Sequence, residues 1–175
     1  MSKWSYLMSK TPIKDSLVVF TEGAIINFKL HGKVLPVFGL KLKNQEPRLE
    51  SVVFNSPADK DKFRQRILNL IASNQLEEFV FVAEAWTTIT ENVDEVRRWL
   101  AKYGSLEKYP DRKEIVQVLY SSPEEEICYT TVINRGSIGA SLGEWQVITR
   151  SSKLELQDLA TRFQGLFAQG KAGQN

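Results

Sequence analysis

Two spacings of apolar residues divide the chain. Between 34 and 43, 49 and 55, 79 and 88, 114 and 121, 127 and 135, and 144 and 149, apolar residues alternate or run together over short stretches, as in strands. Between 57 and 74 the apolar positions Phe63, Ile67, Leu70 and Ile71 fall on one helical face. Ser56-Pro57 starts that helix, with Asp59 at its positive end. Two weaker helical patterns follow. Val93, Val96, Leu100 and Tyr103 share a face inside the long connection 90–112, with Asn92 and Glu95 as a capping pair and Gly104 as a stop. Ser152 and Glu155 form a capping box before a stripe of Leu156, Leu159, Ala160, Phe163, Leu166 and Phe167.

The segment 15–31 fits both periods. Leu17, Phe20, Ala24 and Phe28 recur at helical spacing, whereas Ala24, Ile26, Phe28 and Leu30 alternate as in a strand. Its β-branched residues favour a strand. Gly32, placed as a helix-ending glycine, and a length beyond a typical strand favour the helix, which is the preferred reading.

The resulting order is α-β-β-α-β-(α)-β-β-β-α. Turn signals at 44–48 and at Ser122-Pro123-Glu124 join neighbouring strands as hairpins. The fold class is therefore α+β, with a largely antiparallel sheet of about five to six strands flanked by helices. Profilin-like and roadblock-like domains share a similar element order, an analogy of topology that carries little about function. One domain is expected over 15–169, with a polar arm over 1–14 and a polar, disordered tail over 170–175.

Charge narrows the partners only slightly. Lys and Arg number 23 against 21 Asp and Glu, a surplus of +2 that is too small for a strong polyanion field, so nucleic acid is not the expected partner. The single cysteine, Cys128, rules out an internal disulfide and a cysteine zinc cluster. It alternates with Thr130 and Val132 and reads as an inert core thiol. Residues 1–14 lack the apolar core and cleavage site of a signal peptide, and no apolar run nears the ~20 residues of a membrane span. A cytoplasmic location is the expectation, with no membrane partner, no metal and no cofactor.

Glu84 is the most informative residue. It shares a strand face with Val80, Val82 and Trp86, where a lone carboxylate is costly to bury. Arg112, Lys113 and Arg135 are its candidate partners, and Asp111 joins them in the charged run 110–114. A cluster of Glu84, Asp111, Arg112 and Arg135 has the chemistry to bind a phosphate or a magnesium ion. A structural ion pair is the simpler reading. Arg97, Arg98 and Trp99 form a second candidate surface, for single-stranded nucleic acid or a protein partner, against the simpler reading of a helix covering the sheet. Gly136, Gly139 and Gly143 are expected in a flexible loop over 136–143 and lack the lysine and following helix of a phosphate cradle. His31, the only histidine, sits at a helix end and reads as a cap.

The runs Phe79-Val80-Phe81-Val82-Ala83-Glu84-Ala85-Trp86, Tyr109-Pro110-Asp111-Arg112-Lys113-Glu114, Ile133-Asn134-Arg135 and Leu142-Gly143-Glu144-Trp145 together resemble a scattered set of uncharacterised bacterial and archaeal proteins. That set shows a V-x-E-A-W … P-D-R-x-E … I-x-R … L-G pattern. The resemblance covers roughly 79–145, with a fainter match at 32–36. It implies no assigned activity and no catalytic residue, and it groups Glu84, Arg112 and Arg135 for testing together. The helix at 93–103 stands where the set has a shorter, acidic, proline-rich connection. The leading expectation is a non-catalytic interaction or regulatory protein that self-associates, for instance as a homodimer. The alternative is a ligand-binding protein or enzyme built on the Glu84 cluster.

Overall fold

A computed structural model describes residues 15–88, 93–151 and 163–172. The elements in chain order are α1 (Asp15–His31), β1 (Val37–Leu42), β2 (Arg48–Ser51), α2 (Pro57–Ala72), β3 (Leu76–Thr88), α3 (Val93–Tyr103), β4 (Arg112–Ser121), β5 (Glu125–Gly136), β6 (Gly139–Ser151) and α4 (Leu166–Ala172). The six strands form one sheet in the order β2-β1-β3-β4-β5-β6, and every neighbouring pair is antiparallel. The ambiguous segment 15–31 is a helix.

Register assigns the two faces. Phe79 and Phe81 lie opposite Leu40 and Phe38 on one side and Ser121 and Leu119 on the other. This face is covered by Ile67 and Ile71 of α2 and by Phe163, Leu166 and Phe167. Phe38 stacks on Phe81 at 4.3 Å between ring centres and meets Phe163 edge-on at 5.1 Å. The opposite face carries Val80, Val82, Val116, Val118, Tyr120, Ile127 and Tyr129 against Leu17, Ala24 and Phe28 of α1. Gly39, opposite Val80, lets α1 approach, because a Cβ there would overlap the Phe20 ring.

Local chemistry sets the boundaries. Asp59 N–H donates to Ser56 Oγ at 3.2 Å while the Asp59 carboxylate accepts from Asn55 N–H at 3.1 Å, a reciprocal cap. Asn74 takes φ 56°, so α2 ends at Ala72, two residues before the expected point. Gly32, at φ 67°, donates its N–H to Phe28 O at 2.7 Å and closes α1.

Two expectations are corrected. The glycine loop over 136–143 is a two-residue turn, Ser137-Ile138, because Gly136 pairs directly with Gly139 and β6 begins there. The register slips between Thr131↔Trp145 and Ile133↔Leu142, so Gly143 and Glu144 lie in a bulge, and a Cβ added to Gly143 would stand 3.4 Å from Val132 O. Secondly, the chain stays helical through Ala172, past the expected start of the tail at 170. Gly170 is needed inside that helix because a Cβ there would stand 2.5 Å from Ile71 Cγ2. The proposed cap at Ser152 and Glu155 and the apolar residues Leu156, Leu159 and Ala160 lie outside the described residues.

Candidate functional site

Strand period brings the singled-out residues to one end of one face. Glu84 and Trp86 in β3 lie opposite Val116 and Glu114 in β4, and Thr88 lies opposite Arg112. Arg135 closes β5 beside them, two residues from the turn into β6.

The bonds there form a clasp. Arg135 holds Glu114 in a two-pronged ion pair, Nε to Oε2 and Nη2 to Oε1, both at 2.6 Å. Its Nη2 lies 3.9 Å from Glu84 Oε2, and its Nη1 donates to Gly32 O at 3.3 Å. The other Glu84 oxygen accepts from Val34 N–H at 2.7 Å. Glu84 therefore ties the connection between α1 and β1 to the middle of the sheet. The Glu114 hydrogen bond and charge, with the Glu84 charge behind them, hold the Arg135 guanidinium more firmly protonated than usual.

Arg112 and Asp111 stand apart from this clasp. The Arg112 guanidinium lies over the Trp86 ring at 5.2 Å and donates to Tyr109 O at 3.3 Å. Asp111 is exposed, and its backbone carbonyl accepts from Thr88 Oγ1 at 3.3 Å. Of the four expected members, the structure joins Glu84 to Arg135 only. Their principal partner, Glu114, was legible as part of the charged run but not as the residue Arg135 chooses. An open depression of about 550 Å³ lies beside the clasp, lined by Arg112, Glu114, Arg135, Gly136, Ile138 and Ser141 among others. The arrangement holds three strands and a loop together. It offers no nucleophile with an adjacent base, and among the described residues no group of carboxylates, histidines or cysteines is disposed to hold a metal ion.

The second candidate surface is also engaged internally. Trp99 packs at 4.5 Å from Tyr103 and 5.2 Å, edge-on, from Tyr109, and its Nε1 donates to Ser105 O at 3.1 Å. Arg97 lies 3.5 Å from Asp94, and Arg98 Nε donates to Asp94 O. Tyr109 is buried, and burial, then the Glu95 carboxylate and Asp111, push its phenol up. His31 is exposed at the end of α1, and Cys128 is buried under α2 and α4.

Two polar anchors escaped the sequence reading. Glu126, buried in β5, accepts from Gly165 N–H at 2.8 Å and Ser121 Oγ at 3.3 Å, fastening the chain that leads into α4. At the sheet end opposite the clasp, the Tyr120 hydroxyl donates to Glu78 at 2.8 Å, and burial, then that bond, push the phenol well up. The alternation that marks a strand says which face a residue takes but not what crosses to meet it. No described helix is long and apolar enough to cross a membrane. No family model, curated protein or solved structure matches the chain.

Proposed function

We propose that this chain is a non-catalytic interaction protein of the cytoplasm that receives an extended segment of a partner along the outer edge of β6. The observation that carries the reading is the contrast between the two sheet edges. β2 is four residues long, and its Arg48 and Glu50 are charged, which discourages strand addition. β6 runs for thirteen residues and, among the described residues, pairs only with β5. The Gly143-Glu144 bulge interrupts its first part, leaving the run 145–151, Trp-Gln-Val-Ile-Thr-Arg-Ser, rich in residues suited to strands. Among the described residues no strand pairs with the outer side of β6, and strand addition uses the backbone donors and acceptors of such an edge.

The binding or catalytic alternative at Glu84, Asp111, Arg112 and Arg135 has less behind it. Asp111 and Arg112 stand outside the clasp, and all three guanidinium nitrogens of Arg135 are already engaged by Glu114 and Gly32. The nucleic-acid reading of Arg97, Arg98 and Trp99 is weakened by the Trp99 ring contacts, which occupy the surface a base would stack on. The resemblance to the uncharacterised prokaryotic set remains a proposal, and it adds no activity. A single buried cysteine accords with a reducing compartment.

The test compares the wild-type chain with Val147→Lys, a charge on the half-exposed middle of the open run. Partners are captured from an extract of the producing cell, and amide exchange is followed with the captured partner bound. The expected result is slowed exchange over 145–151 in the complex and loss of the partner by the variant. Equal capture by both proteins, with exchange over 145–151 unchanged, would overturn the reading.

A further inference from the structure

The outward face of α1 is apolar at its centre. At 100° per residue, Val19, Ile26 and Leu30 fall within about 40° of one another around the axis. They point away from the buried residues Leu17, Thr21, Ala24 and Phe28 and are 65%, 56% and 71% exposed. Solvent faces of surface helices are ordinarily polar there. Gly23 lies on the same side, and a side chain added to it would meet nothing within 4 Å.

We propose that this face pairs with the same face of a second copy of the chain, the two helices running antiparallel about a two-fold axis. The stripe complements itself in that arrangement. With the axis between Ala24 and Ile25, Val19 faces Leu30 of the second copy, and the Ile26 side chain faces the gap at Gly23 of the second copy. A large residue thus meets a small one at the centre, twice, as close helix packing requires. The charges agree with the same register. Glu22 and Lys29 are both exposed and lie within about 20° of each other on one flank of the stripe. In an antiparallel two-fold pair that flank meets its own copy, so each Glu22 comes beside Lys29 of the other chain. In a parallel two-fold pair that flank would lie on the other side of the seam from its copy, and Glu22 would not come beside Lys29.

The contact is small. Three apolar side chains and one ion-pairing couple per copy fall short of the roughly 1,200 Å² of a stable interface. The dimer is therefore weak and reversible, with a dissociation constant on the order of tens of micromolar. This contact is separate from strand addition at β6 and stands or falls without it.

Sedimentation equilibrium on the full chain tests the pairing. The weight-average mass is expected to rise with concentration from 20.0 kDa toward twice that value. Ile26→Lys is expected to weaken association at least tenfold while leaving the thermal midpoint of the dilute protein unchanged, because Ile26 touches no core residue cluster. Glu22→Lys is expected to weaken it, and Glu22→Lys combined with Lys29→Glu to restore it. A monomer at every concentration up to about 1 mM overturns the proposal, a limit well above the expected constant. So does a dimer that survives Ile26→Lys and is lost in Val147→Lys, an outcome that would move self-association to the β6 edge.

Discussion

Glu84 is a carboxylate with two different obligations. One oxygen satisfies the Val34 N–H at 2.7 Å, and the other reaches Arg135 at 3.9 Å. The two are separable by substitution. Glu84→Gln keeps an oxygen for Val34 and gives up only a long, partly exposed charge contact, an expected cost below about 1 kcal/mol. Glu84→Ala leaves the N–H of a buried valine without its acceptor, for an expected loss of about 1–3 kcal/mol. Urea unfolding of both variants checks this, and equal losses would show that the Val34 bond contributes nothing. The oddity of Glu84 was legible, since alternation alone put it among valines. Its acceptor role toward residue 34 was not, because fifty residues separate the partners and only the packing of α1 brings them together.

Between elements, the α2–β2 contact is electrostatic where most others are apolar. Arg66 of α2 grips Glu50 of β2 through two bonds of 2.6 and 2.7 Å, and Arg48 adds a third contact at 3.1 Å. The Arg66 hydrogen bonds, opposed by partial burial and aided by the Arg66 and Arg48 charges, hold the Glu50 carboxyl below its ordinary value of 4.5. A depressed carboxyl contributes stability that is complete above its unfolded value and lost as pH falls through its folded one. Wild type is therefore expected to exceed Glu50→Gln by up to about 1 kcal/mol at pH 7, since the pair is partly exposed to solvent. The gap should close below about pH 4.5 as Glu50 takes up its proton in the folded state. Denaturant midpoints of the two proteins measured across this range decide it, and a gap unchanged into acid would mean the pair works by packing alone. The Arg64 side chain of the same helix donates to Gln169 of α4, so α2 joins the edge strand to the end of the chain.

The whole molecule is a sheet with a core on each side. One core packs on α1 and the other on α2 and α4, and β3 and β4 contribute alternate residues to both. Neither core can dissolve without taking the central strands from the other. Leu17→Ala and Ile67→Ala, on opposite sides and both fully buried, are each expected to cost about 2–5 kcal/mol. Both should lower the midpoint of one shared unfolding transition without changing its steepness. Two transitions in either variant, by fluorescence or circular dichroism, would show that the faces unfold separately.

Strand and helix periods, the Ser56-Pro57 cap and the turn at 122–124 determined the element order and the antiparallel α+β class from sequence alone. These signals are local: side-chain alternation, backbone preferences and caps act within a few residues. Tertiary structure decided the rest. It decided that 15–31 is helical, because the sheet offers Leu17, Ala24 and Phe28 a surface that neither local pattern encodes. The same packing left Val19, Ile26 and Leu30 facing outward. Strand register decided that Arg135 takes Glu114 and that Arg112 lies over Trp86, since a one-residue slip would send each side chain to the other face. The place of β6 at the end of the sheet, among the described residues, is likewise a property of strand order, which the alternation of residues within a strand does not contain.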